Sequence, residues 1–237
     1  MQSKRYIYTL ILIITLGNNS TFSQTIYGGS GLFTIPGGNT LNDGEVNLTF
    51  SHLPYRYLQG FQNNVSDAVM YSASVGFLPF LEVHIRFTNP VKASPTHIGD
   101  RTIGIKLKMI NENDLLPALT LGLQDFITGI ESNSNARYFN STYLVSAKSF
   151  YINPVINKLT FTLGYGTDII DAEAYQFIGV FGGVELTFAE WIEAILEYDS
   201  EKLNTALKFF LVNHFRIMIG ILDYQDLTGG IVYSIQL

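Results

Sequence analysis

The chain has 237 residues, of which 47% are hydrophobic, 14% aromatic and only 14% charged, with a formal charge of −6 and no Cys. Soluble domains carry about 25% charged residues, so this composition argues for a surface not built for water alone, and against a disordered chain. The acidic balance argues against a nucleic-acid partner. The missing Cys removes disulfides, thiolate metal sites, Cys nucleophiles and a lipid anchor on Cys.

Residues 1–23 read as a cleaved signal peptide. Lys4 and Arg5 give a positive start, Tyr6 to Leu16 an apolar run, and Asn18 to Gln24 a small polar stretch. The run is too short to span a bilayer, which takes about 20 residues. Small residues at Thr21 and Ser23 suggest cleavage before Gln24. No later stretch is apolar for long enough to form a spanning helix. Residues 24–43, rich in Gly and Pro, read as a periplasmic lead-in full of turns. Gly28-Gly29-Ser30-Gly31 does not lie between a strand and a helix, so it is not a phosphate loop.

From residue 44 to 237 the dominant period is two, the strand signature. Val46, Leu48 and Phe50 alternate with Asn47, Thr49 and Ser51. The same alternation runs through 69–77, 83–87, 102–109, 119–124, 159–166, 192–198, 216–221 and 230–237. Three further strands, near 138–150, 176–188 and 203–212, are blurred. There Phe177, Phe181, Ala206 and Phe210 fall on the polar face, which suggests a lumen partly filled by side chains. The expected fold is all-β: a transmembrane antiparallel barrel of about twelve strands, with ten as the alternative count. A secreted soluble barrel or sandwich is the fallback.

Connections alternate in length. Pro54–Ser66, Asn89–Asp100, Ile127–Arg137 and Asp168–Tyr175 are long, while the links around Pro79, Glu190 and Asn213 are short. Outer-membrane barrels have this asymmetry, long outside and short in the periplasm, and the short outer loops near Glu201 and Gln225 depart from it. Aromatic residues collect near strand ends, among them Phe80, Phe87, Phe126, Tyr138, Phe150, Tyr151, Trp191, Phe215 and Tyr224. Such girdles mark both membrane interfaces. The last strand, with Gly230, Tyr233, Ile235 and Leu237, resembles the C-terminal signal read by barrel-assembly machinery.

By parity, Glu82, Arg86, Lys106, Lys108, Lys148, Glu185, Glu193, Glu197, Lys208 and Arg216 all fall on the polar face and are the candidate lumen lining. A Lys or Arg facing lipid at the midplane costs about 2–4 kcal/mol, which sorts charge inward. Ion pairs that stiffen the wall, a lining that selects a polar or anionic solute, and a catalytic use are the three readings open to them. Tyr55, Arg56, Tyr57, Gln59 and Phe61 form a first outer loop able to stack on sugars. No catalytic residue, metal site or cofactor is expected. His52 and His97 are the positions a lipid-modifying barrel enzyme would use.

Gly31-Leu32-Phe33-Thr34-Ile35-Pro36, with Gly44 and the strand to Ser51, resembles the N-terminal motif of the YjbH family. Arg101 to Lys108, Pro117 to Gly129, Tyr143 to Lys148 and Leu163 to Gly166 resemble its successive strands. The resemblance runs over about residues 28–167 and includes Asp125, Phe126 and Gly129 at an outer strand end. It implies an outer-membrane barrel tied to exopolysaccharide biosynthesis and export, an accessory or conduit, with polysaccharide and export proteins as partners. A general small porin or scaffold barrel is the alternative.

Overall fold

The period-two segments pair edge to edge in sequence order. The computed structural model describes residues 23–58, 66–92, 100–125, 140–169, 177–212 and 214–237. Its strands are β1 (Glu45–Leu53), β2 (Ala68–Phe77), β3 (Leu81–Pro90), β4 (Asp100–Ile110), β5 (Ala118–Gln124) and β6 (Ser141–Tyr151). They continue as β7 (Ile156–Thr167), β8 (Gly179–Phe188), β9 (Ile192–Tyr198), β10 (Leu203–Val212), β11 (Phe215–Leu222) and β12 (Asp226–Gln236). Each pairs antiparallel with the next, and β12 returns to β1 to close the barrel. The closing register runs from Glu45 opposite Gln236 to Ser51 opposite Gly230. Closure matters because an open edge would leave a row of unpaired backbone groups.

Twelve strands is the count the alternation predicts, and the blurred segments supply β6, β8 and β10. The signal peptide is expected over residues 1–23; of these, residues 1–22 lie outside the described residues and Ser23 is described. One end of the barrel carries the start of β1, the end of β12 and the tight turns at 78–80 and 189–191. We call it the termini end. The longer connections emerge at the far end.

The outward face is an apolar belt. Leu48, Phe50, Tyr71, Ile85, Leu144, Phe161, Leu163, Val180, Leu196, Leu207, Ile219 and Ile231 are all exposed. At strand ends the belt is fringed by exposed Phe80, Phe87, Phe150, Tyr151, Trp191, Tyr198, Phe215 and Tyr224. Phe126 and Tyr138 lie outside the described residues. Opposite parity places Asn47, Thr49, Ser72, Ser74, Thr102, Thr120 and Thr162 inside, all buried. In an ordinary soluble domain the burial would be reversed.

Eight strands enclose a space that side chains alone can fill, whereas 16–18 leave a channel. Twelve fall between, so wall side chains need help. The help comes from residues 23–42. The expected lead-in outside the barrel is instead folded into the lumen, where Gln24 to Gly38 are all buried. The physical reason lies in its composition. Ile26, Tyr27, Leu32, Phe33 and Ile35 are large apolar residues that a free periplasmic tether would leave in water, and all five sit in the internal core.

Candidate functional site in the barrel lumen

The lumen segment is a small hairpin of its own. Gln24 bridges to Ser30 and Gly31 to Pro36. Gly28 turns the chain at φ 99°, a conformation that favours glycine. A Cβ at Gly31 would lie 2.3 Å from the Ile35 carbonyl oxygen, so only glycine admits the second turn.

Two groups of wall charges grip this hairpin by its backbone. The first sits on β3 and β4, where Glu82 and Lys106 are opposite each other. The Ser30 amide donates to Glu82 Oε1 at 2.8 Å, and the Leu41 amide to Oε2 at 3.0 Å. Lys106 Nζ donates to the carbonyls of Ser30 at 2.7 Å and Asn39 at 2.6 Å, and to Ser30 Oγ at 2.6 Å. The second sits on β9 and β10, where Lys208 is opposite Glu193. Lys208 Nζ donates to the carbonyls of Gln24 at 2.7 Å, Gly31 at 3.1 Å and Leu32 at 2.5 Å. Glu197 accepts from the amides of Phe33 at 2.9 Å and Thr34 at 2.8 Å, and from Thr34 Oγ1 at 2.5 Å. Ser23 Oγ donates to Glu193 at 3.0 Å.

Between the clamps lie neutral and apolar contacts. Ser51, Ser74 and Thr120 donate to the carbonyls of Ile26, Gly28 and Gly38. The Phe33 ring lies against Gly220, where a Cβ would come within 2.4 Å of it. Tyr27, Tyr143, Phe177 and Phe181 meet edge to face at ring separations of 5.9 to 6.5 Å. The Arg86 guanidinium covers the Tyr27 ring at 5.2 Å. The gap left beside Tyr27, His84, Gln124 and Tyr143 has room for about one water.

Six buried apolar side chains, those of Ile26, Tyr27, Leu32, Phe33, Ile35 and Leu41, contribute roughly 1.5–3 kcal/mol each. Ordering the backbone of the segment costs roughly 1–2 kcal/mol for every residue in it. Apolar burial is therefore not the hairpin's sole hold, and the charged clamps and the neutral hydrogen bonds to Ile26, Gly28 and Gly38 add to it.

The candidate lining is thus accounted for mostly by contacts within the chain. Glu82, Lys106, Glu193, Glu197 and Lys208 hold the hairpin. Arg216 lies 3.6 Å from Glu45 and donates to Ser234 Oγ. Glu185 is 4.0 Å from Lys158. Lys108 shares the inward parity and is half-buried at the termini end. Lys148 is a correction: it faces outward, opposite the exposed Phe161. On β6 the aromatic filling of the lumen draws Tyr143, Val145 and Ala147 inward, which turns Thr142, Ser146 and Lys148 out. Lys148 avoids the middle of the belt by reaching the β4–β5 turn, where it donates to the carbonyls of Asn113 and Asp114.

At the far end, Tyr55–Leu58 form a 3-10 turn over the mouth. Tyr55 is exposed. Arg56 bonds Gln225 and lies 3.6 Å from Asp226. Tyr57 packs on the internal core under the Lys202 ammonium, 4.4 Å from its ring centre. Its burial and the nearby Asp223 and Asp199 carboxylates push its hydroxyl above the ordinary phenol range. Of the proposed sugar-stacking residues, Arg56 and Tyr57 are engaged within the protein, and Gln59 and Phe61 lie outside the described residues. His52 pairs with Asp67 at 3.3 Å, and His97 lies outside the described residues. Asp125 is buried at the far end of β5, while Phe126 and Gly129 lie outside the described residues. Among the described residues no three His, Asp or Glu side chains converge as metal ligands would.

The role of the hairpin was missed from sequence. Its large apolar residues between glycines were the signal that could have found it.

Comparison with known proteins gives two findings. A family model described as "Exopolysaccharide biosynthesis protein YbjH", of the YjbH family, matches residues 23–177. The "Uncharacterized lipoprotein YjbH" of Escherichia coli (strain K12) is 27% identical over 173 residues, covering 69% of this chain. The aligned stretch covers 20% of that relative, so this chain spans about a fifth of its length.

Proposed function

The chain belongs to the YjbH family, and on that premise we propose that it is a bacterial outer-membrane barrel that assists exopolysaccharide production or secretion. The observation that carries the membrane part of this reading is the sorting of the wall. Exposed apolar side chains ring the outside, and buried charges and hydroxyls line the inside. Lipid satisfies the first face, and only a filled or wet lumen satisfies the second. Outer-membrane lipid around the belt, barrel-assembly machinery at β12, and polysaccharide with its export proteins are the partners this reading names. No cofactor enters it.

The filled lumen favours an accessory role over a standing conduit. A general porin needs an open path, and the hairpin occupies it. The exopolysaccharide link rests on the family. Its test is a deletion strain, in which surface polysaccharide falls and returns on complementation. Unchanged polysaccharide refutes the link. Membrane placement is tested separately by fractionation, where recovery in the soluble wash refutes it.

A further inference from the structure

We propose that residues 23–41 are a displaceable plug, and that their withdrawal toward the termini end opens a cation-preferring path for hydrated solutes. The proposal rests on the membrane-barrel reading above. Four observations lead to it.

First, the wall does not need the plug for closure. All twelve pairings that close the barrel run strand to strand, and none includes residues 23–41. Second, the hairpin has a way out. Ser23 leaves beside Glu193, next to the tight β8–β9 turn. Residues 42–44 leave beside Gly76 and Leu237, with the Gly44 amide donating to the Gly76 carbonyl and the Leu237 amide to the Gly44 carbonyl. Both ends of the hairpin therefore lie at the termini end, and it withdraws without threading through the barrel.

Third, the holds are of a kind that water can replace. The clamps on β3–β4 and β9–β10 sit six strands apart in the ring, on opposite walls. Each is a charged side chain on a backbone amide, a backbone carbonyl or a hydroxyl. When the hairpin leaves, water solvates both sides of every such contact. A purely apolar plug has no such exchange available. Fourth, the vacated wall has a sign. Among the described buried residues, Glu45, Glu82, Asp100, Asp125, Glu185, Glu193 and Glu197 stand against Arg86, Lys106, Lys208 and Arg216, and the less buried, inward-facing Lys108 and Lys158 reduce the acidic excess without removing it. An excess of carboxylates in a narrow lumen raises the local concentration of cations.

The test uses the full chain, first floated with liposomes to establish insertion and then studied in planar bilayers. The wild type is expected to be closed, with rare brief openings. Lys106→Met removes the ammonium from the β3–β4 clamp and is expected to raise open probability at least tenfold, with a reversal potential on the cation side in a KCl gradient. Because the chain has no Cys, an engineered pair is unambiguous. Thr34 and Asn204 touch across plug and wall at 3.3 Å. Thr34→Cys with Asn204→Cys, added to Lys106→Met, is expected to close the path when oxidised and reopen it when reduced. Thr120→Val removes only a neutral hydrogen bond to Gly38 and is the gentler variant should Lys106→Met fail to fold. It is expected to raise openings severalfold. A folded, inserted variant that stays silent overturns the proposal. So does conductance that ignores the oxidised lock, or a preference for anions. Failure of the wild type to insert is a different result: it overturns the membrane reading, and the proposal with it.

Discussion

Replacing Lys208 by Met tests whether the lumen charges hold the hairpin or only line the wall. Met keeps most of the side-chain length and removes the ammonium. The carbonyls of Gln24, Gly31 and Leu32 then lose a common donor, and Glu193 loses the cation opposite it. Lys208 is 1% exposed, so water does not substitute while the hairpin is in place. Removing one partner from a buried charged network costs about 3–5 kcal/mol, because the other partners stay desolvated. Adding Glu193→Gln relieves the stranded carboxylate but not the three carbonyls. The double variant is therefore expected to be less destabilised than the sum of the single ones, by about 0.5–3 kcal/mol. The assay is urea unfolding in detergent micelles, followed by Trp191, the sole Trp of the chain. Amide exchange at residues 31–34 gives a local readout that a change in the wall alone leaves unmoved. A Lys208→Met protein within about 1 kcal/mol of wild type, with protected amides at 31–34, would refute the clamp, since one ordinary net hydrogen bond is already worth that much.

Two further substitutions test the two faces. Leu163→Arg places a charge on the outer face of β7 at a position 64% exposed; it is expected to cost about 2–4 kcal/mol in lipid and to lower the folded fraction in liposomes, whereas unchanged folding there would argue for water outside the barrel. Lys148→Ala removes a partly exposed ammonium 3.8 Å from Glu112; it is expected to change stability by about 1 kcal/mol or less, and a loss of several kcal/mol in the same urea assay would place Lys148 inside a buried network instead.

The wall was legible because strand parity is a local property. Leu48 and Phe50 against Asn47 and Thr49 state the two faces without any tertiary knowledge, and lipid selects their sign. The blurred strands were blurred for a physical reason. Phe177 and Phe181 fill the lumen, so on β6 Tyr143 and Val145 turn inward and the usual alternation reverses. That reversal is what misplaced Lys148. The use of the lumen charges was less legible. Parity says that Glu82 and Lys208 point inward, but not what they meet. Their partners are mostly backbone groups of a segment up to 184 residues away in sequence, and backbone amides and carbonyls carry no residue signature.

The family resemblance and the hairpin turn out to concern the same residues, which gives the motif a physical meaning. Gly31 to Pro36 carry the resemblance, and each of four members has a definite task in the lumen. Gly31 allows the close turn, Phe33 seats on Gly220, Thr34 gives its amide and hydroxyl to Glu197, and Pro36 pairs back to Gly31. Gly31→Ala is the sharpest probe, because a Cβ there meets backbone atoms that cannot rotate away, the Ile35 oxygen at 2.3 Å and the Gly37 nitrogen at 2.7 Å. Overpacking of this kind costs about 1–3 kcal/mol, and the turn must open to relieve it. Opening it moves the carbonyls of Gly31 and Leu32 off Lys208 and the Thr34 amide off Glu197. The expected result is a barrel that still folds, since its twelve pairings are untouched, with amide protection lost across residues 24–36 and kept in the strands. If Gly31→Ala retains that protection, the motif is not what seats the hairpin. If protection falls equally in β1 to β12, the hairpin is part of the wall's own folding core rather than a segment resting inside it.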